Sequence, residues 1–178
     1  TNNFADSIFE SSKPFGMRTF FKEYSKTKKP GFLNLYLKGQ QKYFVDPKYV
    51  TKNHELINKY KVLTSKGYGM GSYPSKVILS PFIAGKGTVC TETYQVAGTF
   101  DTNNEAENFK KFLETKFARF LIAMRKNTQD LTKDKMKFVP LLDMKKEWTN
   151  NALYKEYNIT AAEQKFIDTI VSDLNKNE

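Results

Sequence analysis

Residues 102–125 read TNNEAENFKKFLETKFARFLIAMR. Thr102 and Glu105 have the spacing of a capping box, in which each side chain binds a backbone N–H group at the start of a helix. Apolar residues then recur at spacings of three and four, as on one face of a helix: Phe109, Phe112, Leu113, Phe117, Phe120, Leu121 and Met124. The pattern predicts one long amphipathic helix that ends near residue 125.

The residues before this helix have the pattern of strands. Residues 32–37 are rich in β-forming side chains, and residues 42–45 can pair with them as a hairpin across residues 38–40. Further strands are expected at three places: residues 62–63, 77–83 and 93–97. The first half is therefore expected to form a mixed or antiparallel sheet with basic loops that are rich in glycine.

Shorter elements complete the prediction. Residues 53–60 are expected to form a short helix, and residues 136–142 a short strand. Residues 150–157 and residues 161–174 follow threonines that are suited to capping, so they predict a C-terminal helical pair. Strands in the first half and helices in the second predict an α+β fold.

The length of 178 residues suits one hydrophobic core better than two. We expect one compact domain with two parts, a β-rich basic part at residues 1–98 and a largely helical part at residues 99–178. Because the chain begins with Thr1 and not with a methionine, we expect it to be a fragment of a longer protein.

Positive charge is concentrated in the first half of the chain. Residues 1–90 hold fifteen Lys and Arg against five Asp and Glu, whereas residues 91–178 hold fourteen of each. The net charge of +10 therefore comes entirely from the first half. Such a concentration indicates a polyanionic partner, most commonly a nucleic acid. A merely lysine-rich surface is the alternative.

The sequence offers few groups for catalysis. It has one histidine, His54, and one cysteine, Cys90, so it lacks the clustered ligands of a zinc site and an internal disulfide. A nuclease that binds divalent metal remains an alternative, although the acidic residues of the first half are sparse. No apolar run is long enough for a membrane span, and we expect no membrane partner and a cytoplasmic location.

Several motifs resemble one family along nearly the whole chain. They are SSKPFGMRT at residues 11–19, KGYG at 66–69, VCTETY at 89–94, TKFARFL at 115–121, FVPLLD at 138–143 and EWT at 147–149. Together they are similar to the target-recognition (specificity) domain of adenine-specific DNA methyltransferases and of single-chain restriction–modification enzymes. The combination is specific, although each motif alone is weak.

The resemblance implies a domain that binds double-stranded DNA sequence-specifically. The Asn-Pro-Pro-Tyr motif and the glycine-rich cofactor motif of the family are absent from this chain. We therefore expect no catalysis and no cofactor in this fragment, and S-adenosylmethionine in a catalytic domain of the parent protein. The expected partners are DNA, that methyltransferase domain and, in a bifunctional parent, a nuclease domain. A nucleic-acid-binding module without sequence preference is a further alternative.

The basic half and the resemblance together predict the DNA-binding residues: Ser11, Ser12, Lys13, Arg18, Lys22, Lys66, Tyr68, Lys76, Lys86, Thr91 and Thr93. Arginine can bind O6 and N7 of guanine with two hydrogen bonds, so Arg18 is the main candidate for base reading, with a phosphate contact or a solvated side chain as alternatives. The lysines suit phosphate. The polar residues 91–93 fit either DNA contact or strand capping, and Arg119 fits a structural ion pair better than a DNA contact.

Overall fold

The computed structural model describes residues 12–66, 80–125 and 133–174. Within them lie the strands β1 (Leu33–Leu37), β2 (Gln41–Val45), β3 (Tyr60–Ser65), β4 (Phe82–Ala84), β5 (Thr88–Cys90) and β6 (Tyr94–Phe100). The helices are α1 (Asn103–Glu114), α2 (Lys116–Met124), α3 (Asn150–Glu156) and α4 (Ala161–Ile170). Single 3-10 segments lie at Lys38–Gln40, Pro47–Tyr49, His54–Leu56 and Lys133–Phe138. The predicted α+β class is confirmed.

The strands form two three-stranded sheets. Sheet 1 has the order β2-β1-β5, in which β1 and β2 form the predicted antiparallel hairpin and β1 and β5 run parallel. The hairpin turn has two left-handed residues, Gly39 with a φ of 72° and Gln40 with a φ of 57°. Sheet 2 has the order β4-β3-β6 and is antiparallel throughout.

Sheet 2 separates two hydrophobic cores. Neighbouring residues of a strand point to opposite faces of the sheet. Val62 and Ala97 pack into the core formed with the helices. Leu63 and Val96 pack into the other core, which also contains residues of sheet 1. The helical core continues through α1, which packs over Gly98. A Cβ atom at Gly98 would lie 2.9 Å from the Phe109 ring, so the glycine permits the close approach of helix and sheet.

The predicted single long helix is wrong, because the helix is interrupted at Thr115. Thr115 has an extended ψ of 148°, and its hydroxyl accepts a hydrogen bond from the Ala118 N–H, so α2 begins anew after it. The extra extended residue changes the phase of the apolar face. Ala118 and Ile122 are buried, whereas Met124, which the sequence placed on the buried stripe, is 54% exposed.

Two shorter predictions are also wrong. Residues 136–142 form no strand, since Lys133–Phe138 is a 3-10 helix that buries Met136, and Val139 donates its N–H to the Met136 carbonyl. Residues 53–60 form one 3-10 turn instead of a helix. Asn53 does not cap it, because the Asn53 amide donates to the Pro14 carbonyl at 2.6 Å.

The predicted C-terminal helical pair is confirmed as α3 and α4. Thr149 and Thr160 cap these helices as expected, and Thr160 forms a complete capping box with Glu163. The predicted boundary at residue 98 falls inside β6. None of the described helices is long and apolar enough to cross a membrane.

Candidate nucleic-acid interface

The segment that precedes Arg18 is attached to the hydrophobic core that contains residues of sheet 1. Phe15 and Met17 are buried beside sheet 1, and the Thr51 N–H donates to the Phe15 carbonyl at 3.2 Å. Gly16 has a φ of 88°, and a Cβ atom there would overlap the Thr51 side chain. The side chains of Phe15 and Met17 therefore fix the point at which the chain leaves the core towards Arg18.

Residues 18–21 form a tight turn on the surface. The Phe21 N–H donates to the Arg18 carbonyl at 3.1 Å, and the Phe21 ring packs edge-on against Tyr49 at a centroid distance of 5.4 Å. Arg18 is exposed, and Phe20 is 83% exposed. The turn therefore presents a cation and an aromatic ring to solvent.

Residues 91–93, between β5 and β6, hold this turn in place. The Glu92 N–H donates to the Met17 carbonyl at 2.9 Å, and a carboxylate oxygen of Glu92 accepts the Thr19 N–H at 3.2 Å. The Thr93 hydroxyl donates to the Thr19 hydroxyl at 3.3 Å and accepts from that of Thr91 at 3.2 Å. The polar residues 91–93 thus position the segment that carries Arg18.

Lys66, which follows the last residue of β3, also contacts residues 91–93. Its N–H donates to the Thr93 carbonyl at 3.2 Å. We name residues 18–21, Lys66 and residues 91–93 the Arg18 site. The structure therefore brings together three of the sequence-predicted segments, which are far apart along the chain.

The other predicted residues are distributed differently. Lys22 and Ser12 are exposed and lie within six residues of Arg18 along the sequence. Lys13 is half-buried with a φ of 52°. Thr91 is fully buried, so its hydroxyl supports Thr93 and does not reach the surface. Three predicted residues lie outside the described part of the chain: Ser11, Tyr68 and Lys76.

Lys86 lies at the opposite end of sheet 2 from the Arg18 site. Its ammonium sits 5.4 Å from the centre of the Tyr60 ring, and Tyr60 is the first residue of β3. Lys66 directly follows the last residue of that strand. The two ends of a six-residue strand are roughly 17 Å apart, so Lys86 lies outside the Arg18 site.

The cations of the first half have few acidic neighbours. Within residues 12–66 and 80–90, the only carboxylates are Glu23, Asp46 and Glu55, and only Lys48 and Lys59 form ion pairs there. In the second half, five described cations pair with carboxylates: Lys110, Lys111, Lys116, Arg125 and Lys137. Cations of the first half therefore have carboxylate partners less often than cations of the second half.

The groups that could carry chemistry are buried or scattered. Cys90 is fully buried, and burial raises the pKa of its thiol to about 12, which keeps it protonated at neutral pH. Across residues 12–66, 80–125 and 133–174, no three His, Cys, Asp or Glu side chains are grouped as metal ligands. Arg119 is 1% exposed, so it is buried on α2.

Sequence reasoning missed one residue of this site, Phe20, and one contact, that of Glu92. Phe20 is exposed although its neighbour Phe21 is packed, and no periodic pattern distinguishes two adjacent phenylalanines in a turn. Glu92 was assigned, with Thr91 and Thr93, to DNA contact or strand capping, whereas its carboxylate accepts a backbone N–H from the turn that contains Arg18. The contact joins residues 73 apart in sequence, which a local pattern cannot indicate.

Compared with known proteins, the chain matches no family model and no curated sequence. The family resemblance of its motifs therefore stays a prediction.

Proposed function

We propose that this chain binds duplex DNA through the Arg18 site, as the target-recognition part of an adenine-specific restriction–modification methyltransferase. One observation supports this most strongly. Thr93 contacts both Lys66 and Thr19, the residue after Arg18, and few of the described cations in this half of the chain have carboxylate partners. A surface that gathers uncompensated cations around a fixed turn is suited to a polyanion.

The arginine and the lysines of this surface would contact different parts of the DNA. Arg18 is exposed on an anchored turn, and its planar guanidinium can bind a guanine edge with two parallel hydrogen bonds. Lys22 and Lys66 present point charges on flexible stems, which suit phosphate oxygens. Lys86 would reach a more distant phosphate, because roughly 17 Å corresponds to about five base pairs along the duplex.

The context of this proposal is a larger protein. S-adenosylmethionine would bind in a methyltransferase domain of the parent, and a nuclease domain would join it in a bifunctional parent. The site would then act in the cytoplasm, where the reducing conditions agree with the buried free thiol of Cys90.

Selection from a pool of random duplexes tests sequence specificity. The expected result is an enriched sequence whose affinity exceeds that for scrambled duplex by ~10³-fold or more. Lys145→Ala, which removes an exposed cation from the charge-balanced half, should leave the enrichment unchanged. Strong binding with no enriched sequence would instead indicate a module without sequence preference.

A second assay separates the proposal from the nuclease alternative. The chain is incubated with duplex DNA and Mg²⁺, and its binding of S-adenosylmethionine is measured by calorimetry. Intact DNA and no cofactor binding are expected. Cleavage that disappears with a chelator would favour the nuclease, and cofactor binding by this chain would contradict the assignment of the cofactor to a separate domain.

A further inference from the structure

Phe20 is the most exposed of the large apolar side chains in the described part of the chain, at 83%. Its neighbour Phe21 shows that this turn can bury an aromatic ring, since Phe21 packs against Tyr49. The Phe20 ring has no such contact among the described aromatic pairs. A single exposed apolar side chain is common on protein surfaces, so the case for a partner at Phe20 depends on the fixed backbone and the cations around it.

The position of Phe20 is fixed by the residues around it. The turn hydrogen bond joins Arg18 to Phe21, and Thr19 is held through both its backbone N–H and its hydroxyl. The exposed ring therefore projects from a backbone that is anchored to residues 91–93. A side chain on a fixed backbone has only its own rotamers to lose on binding, which favours its use as an anchor.

The charge around Phe20 indicates the chemistry of its partner. Arg18 and Lys22 stand two residues to either side, and both are exposed. The two nearby carboxylates face backbone groups, since Glu92 accepts the Thr19 N–H and Glu23 accepts the Lys22 N–H. The partner thus offers anionic groups beside a flat apolar surface, as a nucleic acid does with its phosphates and bases.

We infer that Phe20 stacks on a nucleobase of the bound DNA and enters a base step as a wedge. This inference rests on the proposed function, because it assigns a role to Phe20 within the same DNA complex. Apolar side chains that enter base steps unstack them partly and kink the duplex, while neighbouring cations hold the backbone. Arg18 and Lys22 are placed to supply those cations.

The test compares the full chain with Phe20→Ala on two 20-base-pair duplexes, one intact and one with a single abasic position. Phe20→Ala should weaken binding to the intact duplex by roughly 5- to 150-fold, the size expected for losing one stacked base. The salt dependence should not change, because no charge is removed. The unsubstituted chain should prefer the abasic duplex, where less stacking must be broken, and Phe20→Ala should lose that preference.

Phe166→Ala is the matched control, since Phe166 is 54% exposed in the charge-balanced half and should change neither affinity. Phe20→Trp adds a direct readout, because stacking quenches an exposed tryptophan, whereas the native Trp148 is 5% exposed. Quenching by DNA supports the inference.

The outcomes separate the two proposals. Binding by the unsubstituted chain with Phe20→Ala equal to it on both duplexes would overturn the role of Phe20 and leave DNA binding intact. Absence of DNA binding by the unsubstituted chain would overturn the proposed function itself. A fluorescence change of Phe20→Trp with vesicles of anionic lipid, and none with DNA, would assign the ring to a membrane surface and overturn the inference.

Discussion

Lys61 is a fully buried lysine whose charge is solvated by the backbone. Its ammonium has three N–H groups and lies 2.7–3.3 Å from four carbonyl oxygens, those of Leu56, Ile57, Lys59 and Gly85. Burial lowers the pKa of Lys61 from 10.5 to about 8, because the enclosed site disfavours the charged form. The ammonium joins the loop before β3 to the loop before β5, and so fixes the end of sheet 2 that carries Lys86.

This pKa predicts a particular dependence of stability on pH. Between pH 8 and pH 10.5 the folded chain holds fewer protons on Lys61 than the unfolded chain does, so the free energy of unfolding should rise with pH in that window. The total rise from this group is on the order of 3 kcal/mol. Urea unfolding at several pH values measures it.

The control for that experiment is a pair of substitutions. Lys61→Met should remove the rise that Lys61 contributes, whereas Lys52→Met, at an exposed lysine, should keep it. Equal slopes for the unsubstituted chain and Lys61→Met would show that the folded chain does not depress this pKa.

Arg18 should differ from the lysines in what it contributes to DNA binding. Arg18→Ala is expected to cost ~1–3 kcal/mol on the correct site and much less on random DNA, because a bidentate contact discriminates between bases. Lys66→Ala and Lys86→Ala should weaken both kinds of DNA about equally. Paired titrations on the selected and the scrambled duplex measure this, and equal losses for Arg18→Ala would make it a phosphate contact.

At the scale of the elements, Thr115 decides where the helical region divides. Its hydroxyl donates to the Phe112 carbonyl at 2.7 Å and accepts the Ala118 N–H at 3.1 Å, so one group satisfies both the end of α1 and the start of α2. The sequence pattern continued through this residue because threonine is tolerated inside helices, and spacing alone does not reveal a change of phase.

Thr115→Ala should therefore destabilise the fold by about 1 kcal/mol, the usual cost of losing an N-cap. Thr169→Ala is a close control, because the Thr169 hydroxyl also donates to a carbonyl three residues earlier, at 2.7 Å, but caps no helix. Thermal or urea unfolding of both variants checks the prediction. Equal stability losses in the two would mean that the cap at α2 contributes nothing.

Local signals predicted the elements better than their junctions. The hairpin of β1 and β2 and the caps at Thr102, Thr149 and Thr160 depend on residues a few positions apart, and they were predicted correctly. Residues 136–142 were predicted wrongly because a short apolar run fits a strand or a buried 3-10 segment equally well. Only the packing of Met136 into the helical core distinguishes them.

At the scale of the whole molecule, the sequence predicted the class of the fold and the asymmetry of charge, but not the assembly of the site. The parallel pairing of β1 with β5 places Leu35 beside Val89. The hydrogen bond from Thr19 in the Arg18 turn to Glu92 joins residues that are 73 apart in the sequence. Such contacts depend on the order of strands in both sheets, which a single sequence does not specify. The sequence motifs include most of these segments, but they do not indicate that the segments are in contact.

The salt dependence of duplex binding is the decisive measurement of DNA binding by the basic half. If the basic half binds phosphates, log Kobs should fall linearly with log salt, with a slope of about −0.9 per neutralised phosphate and ~4–6 phosphates involved. Lys66→Ala should reduce that slope by about one unit, and Lys145→Ala should leave it unchanged. A slope near zero, or no binding even at low salt, would contradict the assignment of this surface to DNA.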